Sequence, residues 1–586
     1  MSKTVQLLCN QFGGIRERNA SFSNDRITAQ DIQNVELYYT GSNSGIGIRT
    51  VKGNTSVNSE LEGTARIIKL FESTQKQKKY FFVYAETAAE GILYSLNIDT
   101  NVLTVIKDDL TVSGCANGFD VMQGWSDLFF FTNGNEMFTV EMDVPDEHNV
   151  ENQNVTVDIN ATDRDGRTVL GLNAIIFDDR LWIAKDNILW YSKKSDIYEF
   201  SDADPEIITS SGYIERLKNI TAIHEYLGTL AVFFADSSEQ ISVSDGTFSI
   251  GEESPGGCAG YNSLVFHDTN LYFYDDTKKS VFSFRQVITG EKTLGENVAV
   301  EIQSILKDIN SKKLNEIQAY SVFIKGRNEI WWILPTEETY EHKRTVYAYV
   351  YDTNTIYADS PTTPTELYDV DGEVYTGADW TIDSGTVKYG ENIATYTANK
   401  NKIVTSQKAA TIILIYDYLK GEWVKRKSQK INSVAVIDNI LYSAADDGNI
   451  LEEYKSDAFN GEFIQHYYNC SPFNLGADNT LKVLGLPPRV SFDMPYSNQF
   501  YTRYIKNYNT FKKPKIRFIK SKLKNYLYWG VGIWGQNFWS DKHTSIVGKF
   551  PNATFKILEI AIYTENKTQS FSIKNIEFSK IKVKQV

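Results

Sequence analysis

Short runs of alternating apolar and polar residues, separated by turns containing Asp, Asn or Gly, recur along most of this chain. The clearest copy is residues 437–451, IDNILYSAADDGNIL, a pattern typical of three strands joined by two tight turns. Earlier copies begin at Phe177 and Phe266. Asp, Asn and Gly tolerate positive φ in tight turns, whereas β-branched and aromatic residues favour strands. The pattern therefore predicts repeated antiparallel hairpins.

Repeated hairpins of this kind indicate a β-propeller, because one copy cannot bury its apolar face alone and several copies can pack around an axis. The second turns of successive copies are spaced close to the ~40–50 residues of a propeller blade, near Glu90, Asn133, Asp186, Asp236 and Asp275. We predict an all-β fold in which residues 61–460 form a propeller of roughly six to eight blades, with about seven favoured by the spacing.

Three stretches depart from the repeat. Residues 1–60 are punctuated by Gly-containing turns and predict an extended N-terminal arm, which lies either on its own propeller or on a neighbouring molecule. Residues 355–405 break into short polar hairpins and predict an insertion that projects from one blade. Residues 461–586 alternate lysine with aliphatic residues and predict a separate basic β-domain. Residues 302–317 give the best helical pattern in the chain.

The composition is that of an ordinary globular protein, with 586 residues, 42% hydrophobic and 23% charged. The four cysteines lie far apart without a CxxC pair, so neither a disulfide framework nor a zinc site is expected. The strongly apolar stretch 526–539 is too short to span a bilayer. The N-terminal apolar run is too short for a signal peptide, and we expect synthesis in the cytosol.

Charge divides the chain into two parts. Residues 482–586 contain 19 Lys and Arg against 5 Asp and Glu, a net charge of +14. The remainder contains 41 basic and 69 acidic residues, a net charge of −28. An acidic body joined to a basic end bears on which neighbouring molecules the chain contacts, not on how the chain folds.

Catalytic signatures are missing from the sequence. The six histidines are scattered, and no HExxH, P-loop, GxSxG or GxGxxG pattern occurs. Acidic pairs such as Asp178-Asp179 and Asp446-Asp447 recur at turn positions of the repeat, which explains them without a glycosidase-type carboxylate pair. We therefore expect no enzymatic activity, no cofactor and no metal site.

Basic and aromatic residues are interleaved between positions 501 and 526. Such a pattern binds nucleic acid through phosphate contacts and stacking, or forms a docking surface for an acidic protein. We favour docking because the same chain has an acidic body. The candidate interface residues come from the arm, this basic region and the aromatic stretch after it: Arg49, Lys52, Lys512, Lys513, Lys515, Arg517, Trp529, Trp534 and Trp539.

Five features together resemble the tail nozzle proteins of short-tailed bacteriophages, also called tail hub or DNA-stabilisation proteins. They are the Gly-Gly-Ile arm, an ITA-x-x-x-x-NVEL segment at 27–37, a G-I-x-I-R-x-x-x-G element at 45–53, a Y-D-Y-x-x-G-x-W element at 416–423, and the Lys-rich final domain. The resemblance implies a hexameric ring at the distal end of a tail, below the portal and adaptor rings. It carries over no catalytic residues.

Two further functions stay open beside this hypothesis of a structural virion protein that retains and releases a genome. One is a carbohydrate-binding or carbohydrate-active propeller that acts on the host surface. The other is a nucleic-acid-binding protein that uses residues 482–586. On the leading hypothesis, the partners are further copies of the chain, adaptor or ring proteins, tail fibres and passing double-stranded DNA. The protein would be assembled in the host cytoplasm and located in the virion tail.

Overall fold

The structure is a computed structural model that describes most of the chain between Lys3 and Lys584. Residues outside the described set are 1–2, 10, 17–25, 41–44, 58–60, 62–64, 145–152, 203–209, 245–246, 285–294, 308, 310–313, 315, 335–337, 359, 363, 365–366, 370–374, 376, 410–411, 428–429, 457–463, 472–480, 485–488, 493–498, 507–514, 521–544, 548–553, 556–557, 566–568 and 585–586.

The first six strands precede the first complete blade. They are β1 (Lys3–Cys9), β2 (Gln11–Ile15), β3 (Arg26–Gln33), β4 (Val35–Tyr39), β5 (Ile46–Thr50) and β6 (Asn54–Ser56).

Five antiparallel blades follow in chain order. Blade 1 is β7 (Arg66–Gln75), β8 (Lys78–Glu86), β9 (Gly91–Asn97) and β10 (Val102–Leu110). Blade 2 is β11 (Asn117–Gln123), β12 (Ser126–Thr132), β13 (Met137–Val144) and β14 (Gln153–Asp158). Blade 3 is β15 (Asn173–Phe177), β16 (Arg180–Lys185), β17 (Ile188–Tyr191) and β18 (Gly212–Glu215). Blade 4 is β19 (Ala222–Tyr226), β20 (Thr229–Phe233), β21 (Ser237–Ser244), β22 (Thr247–Ile250) and β23 (Ser254–Pro255). Blade 5 is β24 (Leu264–His267), β25 (Asn270–Asp275) and β26 (Ser280–Phe284).

The insertion interrupts blade 6, and blade 7 follows it. Blade 6 starts with β27 (Gln318–Ile324) and β28 (Arg327–Leu334). The insertion contains β29 (Glu338–Tyr351), β30 (Asn354–Ala358), β31 (Leu367–Tyr368), β32 (Trp380–Asp383), β33 (Thr386–Tyr389), β34 (Asn392–Ile393) and β35 (Thr395–Ala409). Blade 6 ends with β36 (Ile412–Asp417) and β37 (Glu422–Lys427), and blade 7 is β38 (Ile431–Ile437), β39 (Ile440–Ala445) and β40 (Ile450–Glu453), joined by β6.

These sheets form a closed β-propeller, which confirms the predicted fold class. The described residues make seven blades, and the first strands of neighbouring blades pack against each other, except that between blades 4 and 5 the contact runs from β19 to the 3-10 turn Tyr261–Ser263 that precedes β24. The ring closes where β38 of blade 7 packs against β7 of blade 1. Apolar clusters fill the space between neighbouring blades, for example Phe82, Phe129 and Phe131 between blades 1 and 2. Each blade therefore buries its two apolar faces against its neighbours, as the repeat required.

Blade 7 is completed by a strand from the other end of the chain. Its outer strand is β6, which pairs with β40 through Asn54↔Glu453 and Ser56↔Leu451. The ring cannot open without separating strands that are almost 400 residues apart in sequence. The propeller thus extends outside the predicted 61–460 boundary at its N-terminal end.

The hairpins between the first and second strands of all seven blades have two-residue tips. Asp178 and Asp179, and likewise Asp438 and Asn439, have φ between 50° and 62°. Two consecutive residues with positive φ are the mark of a type I′ turn, which matches the twist of the flanking strands. The acidic pair at 178–179 is therefore part of a turn, as its recurrence predicted.

The insertion is longer than the predicted 355–405. Strands β29 and β35 pair from Glu338↔Ala409 to Val350↔Thr395, so the departure from blade 6 begins before residue 338 and ends after 409. Residues 338–345 and 402–409 form a two-stranded stem. Beyond the stem, a lobe of residues 346–396 has its own apolar cluster, which includes Trp380 and Val387. The alternating pattern of β29 has the same period as a blade strand, so the sequence does not distinguish the first strand of the insertion from the propeller.

The chain termini build one sheet, which revises the predicted division into a 1–60 arm and a 461–586 domain. Its later strands are β41 (Tyr467–Cys470), β42 (Leu481–Leu484), β43 (Arg489–Phe492), β44 (Gln499–Lys506), β45 (Lys515–Lys520), β46 (Ser545–Val547), β47 (Thr554–Phe555), β48 (Leu558–Tyr563) and β49 (Ser572–Lys584). The path of this terminal sheet is β45-β44-β48-β41-β3-β2-β5-β49-β42-β47. The arm thus lies within its own chain and supplies the central strands.

Helix is scarce in the described residues. In the described part of 302–317, the pattern forms the five-residue helix α1 (Gln303–Lys307), after a 3-10 turn at Val300–Ile302. A further 3-10 turn is Tyr261–Ser263. Ile302, Leu306 and Ile309 are buried in the cluster beneath blades 5 and 6. Burial of these three side chains explains their helical spacing, although the helix is short.

Candidate functional site: the propeller axis and the junction with the terminal sheet

Side chains cross the axis of the propeller at the end where the first strands begin. The Tyr261 hydroxyl, just before blade 5, donates to the Ala116 carbonyl, just before blade 2, at 2.7 Å. Lys69 Nζ of blade 1 donates to Asn262 Oδ1 at 3.1 Å. Each contact joins blades on opposite sides of the ring, and burial raises the pKa of Tyr261 well above its usual range. The hydroxyl therefore stays a donor at neutral pH, and this end of the axis is bridged.

A second set of contacts ties blades 1, 6 and 7 together beside the axis. Lys69 Nζ lies 4.7 Å from the centre of the Tyr320 ring. The Tyr320 hydroxyl donates to Ser433 Oγ, and the Leu70 amide donates to the same oxygen, both at 3.1 Å. These hydrogen bonds fix the three blades where the ring closes.

The terminal sheet is fixed to the outer strand of blade 6 by a buried carboxylate. Glu422 begins β37 and is 4% exposed. Its Oε2 accepts from the Gly14 amide at 2.7 Å, and its Oε1 accepts from Arg16 Nη2 at 3.4 Å. A Cβ atom on Gly14 would lie 2.3 Å from the Trp423 carbonyl oxygen. Glycine at position 14 therefore allows β2 to lie directly against blade 6.

Asn34 makes a second attachment at the turn between β3 and β4. The φ angle of Asn34 is 54°, and its backbone N–H donates to the Lys425 carbonyl oxygen at 2.9 Å. Its side-chain oxygen accepts from the Lys427 amide at 3.0 Å. Because Asn tolerates the left-handed region better than most residues, the side chain and the backbone conformation both suit this contact.

A buried ionic network lies deeper in the junction. Arg327 forms ion pairs with Glu36 of β4 and with Glu329 of its own strand, and Arg49 of β5 also pairs with Glu36. Burial alone would raise the pKa of Glu36, but the two guanidinium groups outweigh it and hold that pKa below its ordinary value. The Arg327 guanidinium lies 3.6 Å from the centre of the Tyr454 ring. Blades 6 and 7 and the terminal sheet thus share one set of charges.

The structure places the candidate interface residues in different environments. Arg49 is engaged within the chain, by Glu36 and by the face of the Tyr38 ring at 5.2 Å. Lys52 is exposed. Lys515 and Arg517 lie on strand β45. The remaining five lie outside the described residues: Lys512, Lys513, Trp529, Trp534 and Trp539.

Sequence reasoning missed the acidic members of this junction. Glu36, Glu422 and Glu453 stand in strand patterns where a charged residue predicts an exposed position, yet their side chains are 12% exposed or less. One signal was available. Glu36 belongs to the NVEL segment and Glu422 to the G-x-W element that carried the family resemblance.

The described residues contain no cluster of three or more His, Cys, Asp or Glu with metal-binding geometry. Cys115 and Cys258 are free thiols, and burial raises the pKa of Cys258 to about 11. A buried thiol with such a pKa stays protonated and behaves as a small apolar side chain. Among the described residues, no helix has the length and apolar character needed to cross a membrane.

Comparisons with known proteins concern the fold alone. Neither a protein-family model nor a curated protein sequence matches this chain. Among solved structures, the computationally designed Ika8 protein is 12% identical with a TM-score of 0.29, over 68% of this chain and 99% of its own. BamB from Moraxella catarrhalis is 11% identical with a TM-score of 0.26, over 72% and 95%. The WD40 domain of Neurospora crassa Pan2 is 10% identical with a TM-score of 0.23, over 57% and 87%.

Proposed function

We propose that this chain is a structural virion protein that forms the distal nozzle ring of a phage tail, most simply as a homohexamer. The observation that carries the proposal is the junction, in which elements of the family resemblance, Gly14, Glu36 and Glu422, lock the terminal sheet onto blades 6 and 7. A part that must hold a pressurised genome needs a rigid connection of this kind. The ring would contact adaptor or ring proteins, tail fibres and further copies of itself.

The genome would pass between copies rather than through one propeller. The propeller axis is bridged by Tyr261 and Lys69, so the conduit has to be the lumen of the ring. A wall that lets DNA slide should be neutral or acidic, because a basic wall holds phosphates through counterion release. The net charge of −28 outside residues 482–586 supports an acidic lumen.

The mass and outline of the native assembly test the proposal. Light scattering of the full-length protein should give six copies, and negative-stain images should show a ring with a central opening. A chain that remains monomeric at micromolar concentrations and in purified virions overturns it.

DNA binding distinguishes the nozzle from a nucleic-acid-binding protein. Near physiological salt, where the Debye length is about 8 Å, the full-length protein should have little affinity for duplex DNA. Tight binding that resists salt would instead assign the function to residues 482–586, since non-specific phosphate contacts weaken steeply with salt.

One observation favours the alternative of a carbohydrate-binding propeller. In the insertion lobe, the Tyr351 and Tyr389 rings stack at 5.8 Å, and Trp380 contacts Tyr389 at 4.9 Å. Exposed aromatic rings stack against sugar faces, and in the same lobe Tyr396, whose ring lies 5.7 Å from that of Tyr349, is 38% exposed. Binding of the full-length protein to a glycan array, abolished by Tyr396→Ala, would support this function over the nozzle.

A further inference from the structure

A chain of hydrogen bonds joins a histidine of blade 5 to a serine and an asparagine of blade 6, near the ends of the first strands. His267 is the last residue of β24, and its Nδ1 atom lies 2.8 Å from Oγ of Ser321 on β27. Its Nε2 atom lies within hydrogen-bonding distance of Oδ1 of Asn328 on β28. Because His267 and Ser321 are 54 residues apart in sequence, a local catalytic motif cannot reveal the pair.

The Asn328 contact determines which nitrogen of His267 carries the proton. The side-chain oxygen of Asn328 can only accept, so the Nε2 atom of His267 donates and its Nδ1 atom keeps a lone pair. The Ser321 hydroxyl therefore donates to Nδ1. This is the arrangement of nucleophile, base and orienting group that serine-dependent acyl transfer requires.

The imidazole is held neutral beneath an accessible residue. His267 is 2% exposed, whereas Ser321 is exposed. Burial lowers the pKa of His267 from its ordinary value of 6.5, and it outweighs the opposite effects of the Asn328 hydrogen bond and the nearby Asp268 carboxylate. The Tyr418 ring packs against the imidazole in a T-shaped contact at 5.1 Å, and its hydroxyl donates to Asp268 Oδ2 at 2.8 Å. His267 can therefore take up a proton at neutral pH.

The backbone around Ser321 can supply donors for a developing oxyanion. Strand β27 is the innermost strand of blade 6, with β28 on its outer side. Ile324 and Arg327 flank the hairpin tip and form a hydrogen-bonded pair. Hydrogen-bonded and non-hydrogen-bonded pairs alternate along an antiparallel ladder, which places Ser321 and Phe323 in the second kind. Their backbone N–H groups therefore point away from β28 and toward the axis, where they can stabilise the charge of a tetrahedral intermediate.

An apolar ring lies beside the hydroxyl. Phe323 is two residues after Ser321 on the same side of β27, about 7 Å along the strand, and it is 69% exposed. Asn328 stands opposite Phe323 in the register of β27 and β28. An exposed ring next to a nucleophile can cover an apolar group and remove its surface from water. The site therefore suits esters whose acyl group is short and apolar.

We propose that Ser321 and His267, with Asn328 as a positioning residue, form an acyl-transfer site that hydrolyses esters with short apolar acyl groups. The Ser321 oxygen bonds to the ester carbonyl carbon while His267 Nδ1 takes the hydroxyl proton. The bond from that carbon to the leaving alcohol breaks, and the alcohol departs with the proton. Water, deprotonated by the same nitrogen, then releases the carboxylic acid and restores the serine. This activity is independent of the proposed ring.

A fluorophosphonate probe on the full-length protein tests the nucleophile. It should bond to Ser321 with loss of fluoride, and mass spectrometry of the peptides should locate the adduct there. Ser321→Ala should lose both the adduct and the hydrolysis of p-nitrophenyl butyrate. Ser249→Ala is the matched control, because Ser249 is an exposed serine on the outer strand β22, and its variant should keep both. His267→Gln should slow labelling by about 100-fold, the usual contribution of a general base.

The pH dependence of labelling separates catalysis from a structural hydrogen bond. The rate in the wild type should rise as His267 loses its proton and reach a plateau below pH 6.5. Asn328→Asp places a carboxylate beside the imidazole, which favours the charged ring. The rise should then move to higher pH by about one unit or more.

Three results would each overturn the acyl-transfer site and leave the nozzle proposal standing. They are a Ser321 without adduct, equal labelling of Ser249, and a labelling rate that His267→Gln does not change.

Discussion

Arg426 and Glu453 form an ion pair between the outer strand of blade 6 and blade 7, and both side chains are 1% exposed. Glu453 also accepts from Asn54 Nδ2 at 3.1 Å and from Ser443 Oγ at 2.5 Å. The Arg426 guanidinium lies 5.2 Å from the centres of the Trp331 and Tyr454 rings. The Glu453 carboxylate thus connects three elements: β6, blade 7 itself, and blade 6, to which the terminal sheet is attached.

Removing this carboxylate should lower the free energy of unfolding. Glu453→Gln leaves the Arg426 charge buried without its partner, and breaking one side of a buried pair costs about 3–5 kcal/mol. Glu452→Gln is the matched control: the neighbouring Glu452 pairs with Lys455, whose side chain is 60% exposed. Loss of an exposed pair costs about 0–1 kcal/mol. Urea denaturation of both variants measures the difference, and similar midpoints would contradict a structural role for the buried pair.

Gly14→Ala should loosen the terminal sheet from blade 6. The new Cβ would lie 2.3 Å from a backbone oxygen of Trp423, and the strand has to shift, at a cost of about 1–3 kcal/mol. Hydrogen exchange at residues 11–15 should accelerate. Gly251→Ala serves as control, because its nearest neighbour, the Gln240 carbonyl oxygen, is 3.3 Å from the added Cβ. Equal protection of β2 in the variant and the wild type would show that the strand tolerates the methyl group.

Acid should destabilise the protein through His466. Burial lowers the pKa of this histidine to about 4, and its Nε2 and Nδ1 atoms lie 3.1 Å from the Val51 carbonyl oxygen and the Thr564 hydroxyl. Its pKa in the unfolded chain is about 6.5, so the unfolded state binds the proton first. Stability is therefore lost as pH falls from about 6.5 to 4, by up to roughly 3 kcal/mol. His466→Asn should flatten the stability profile in that range, and an unchanged slope would assign the effect to other groups.

The insertion should be removable. Leu334 of β28 pairs with Ile412 of β36, so the two strands already have hairpin register without the intervening residues. Replacing residues 335–411 with Asn-Gly should give a tight turn and leave the propeller folded. Circular dichroism and thermal melting of the shortened chain test this expectation. An aggregated or molten product would mean that the lobe supports blade 6.

The sequence by itself determined the repeat and therefore the fold class. Residues such as Asp178-Asp179 and Asp438-Asn439 fix positive-φ turns locally, and the flanking apolar alternation fixes strands, so the number and spacing of hairpins can be counted without a structure. Charge asymmetry, too, is a property of composition. These features depend on residues that are near each other in the chain.

Only the tertiary structure decided how the ends of the chain are used. The sequence pattern of β6 predicts a strand but does not show that this strand pairs with β40. The pattern of β2 likewise does not show that β2 lies against blade 6. In both cases the pairing depends on which distant strand edge is available. The pattern of β29 likewise fits a blade or an insertion equally well. Burial of Glu36, Glu422 and Glu453 follows from partners that lie hundreds of residues away, and the free energy of those contacts exists only once the fold has brought them together.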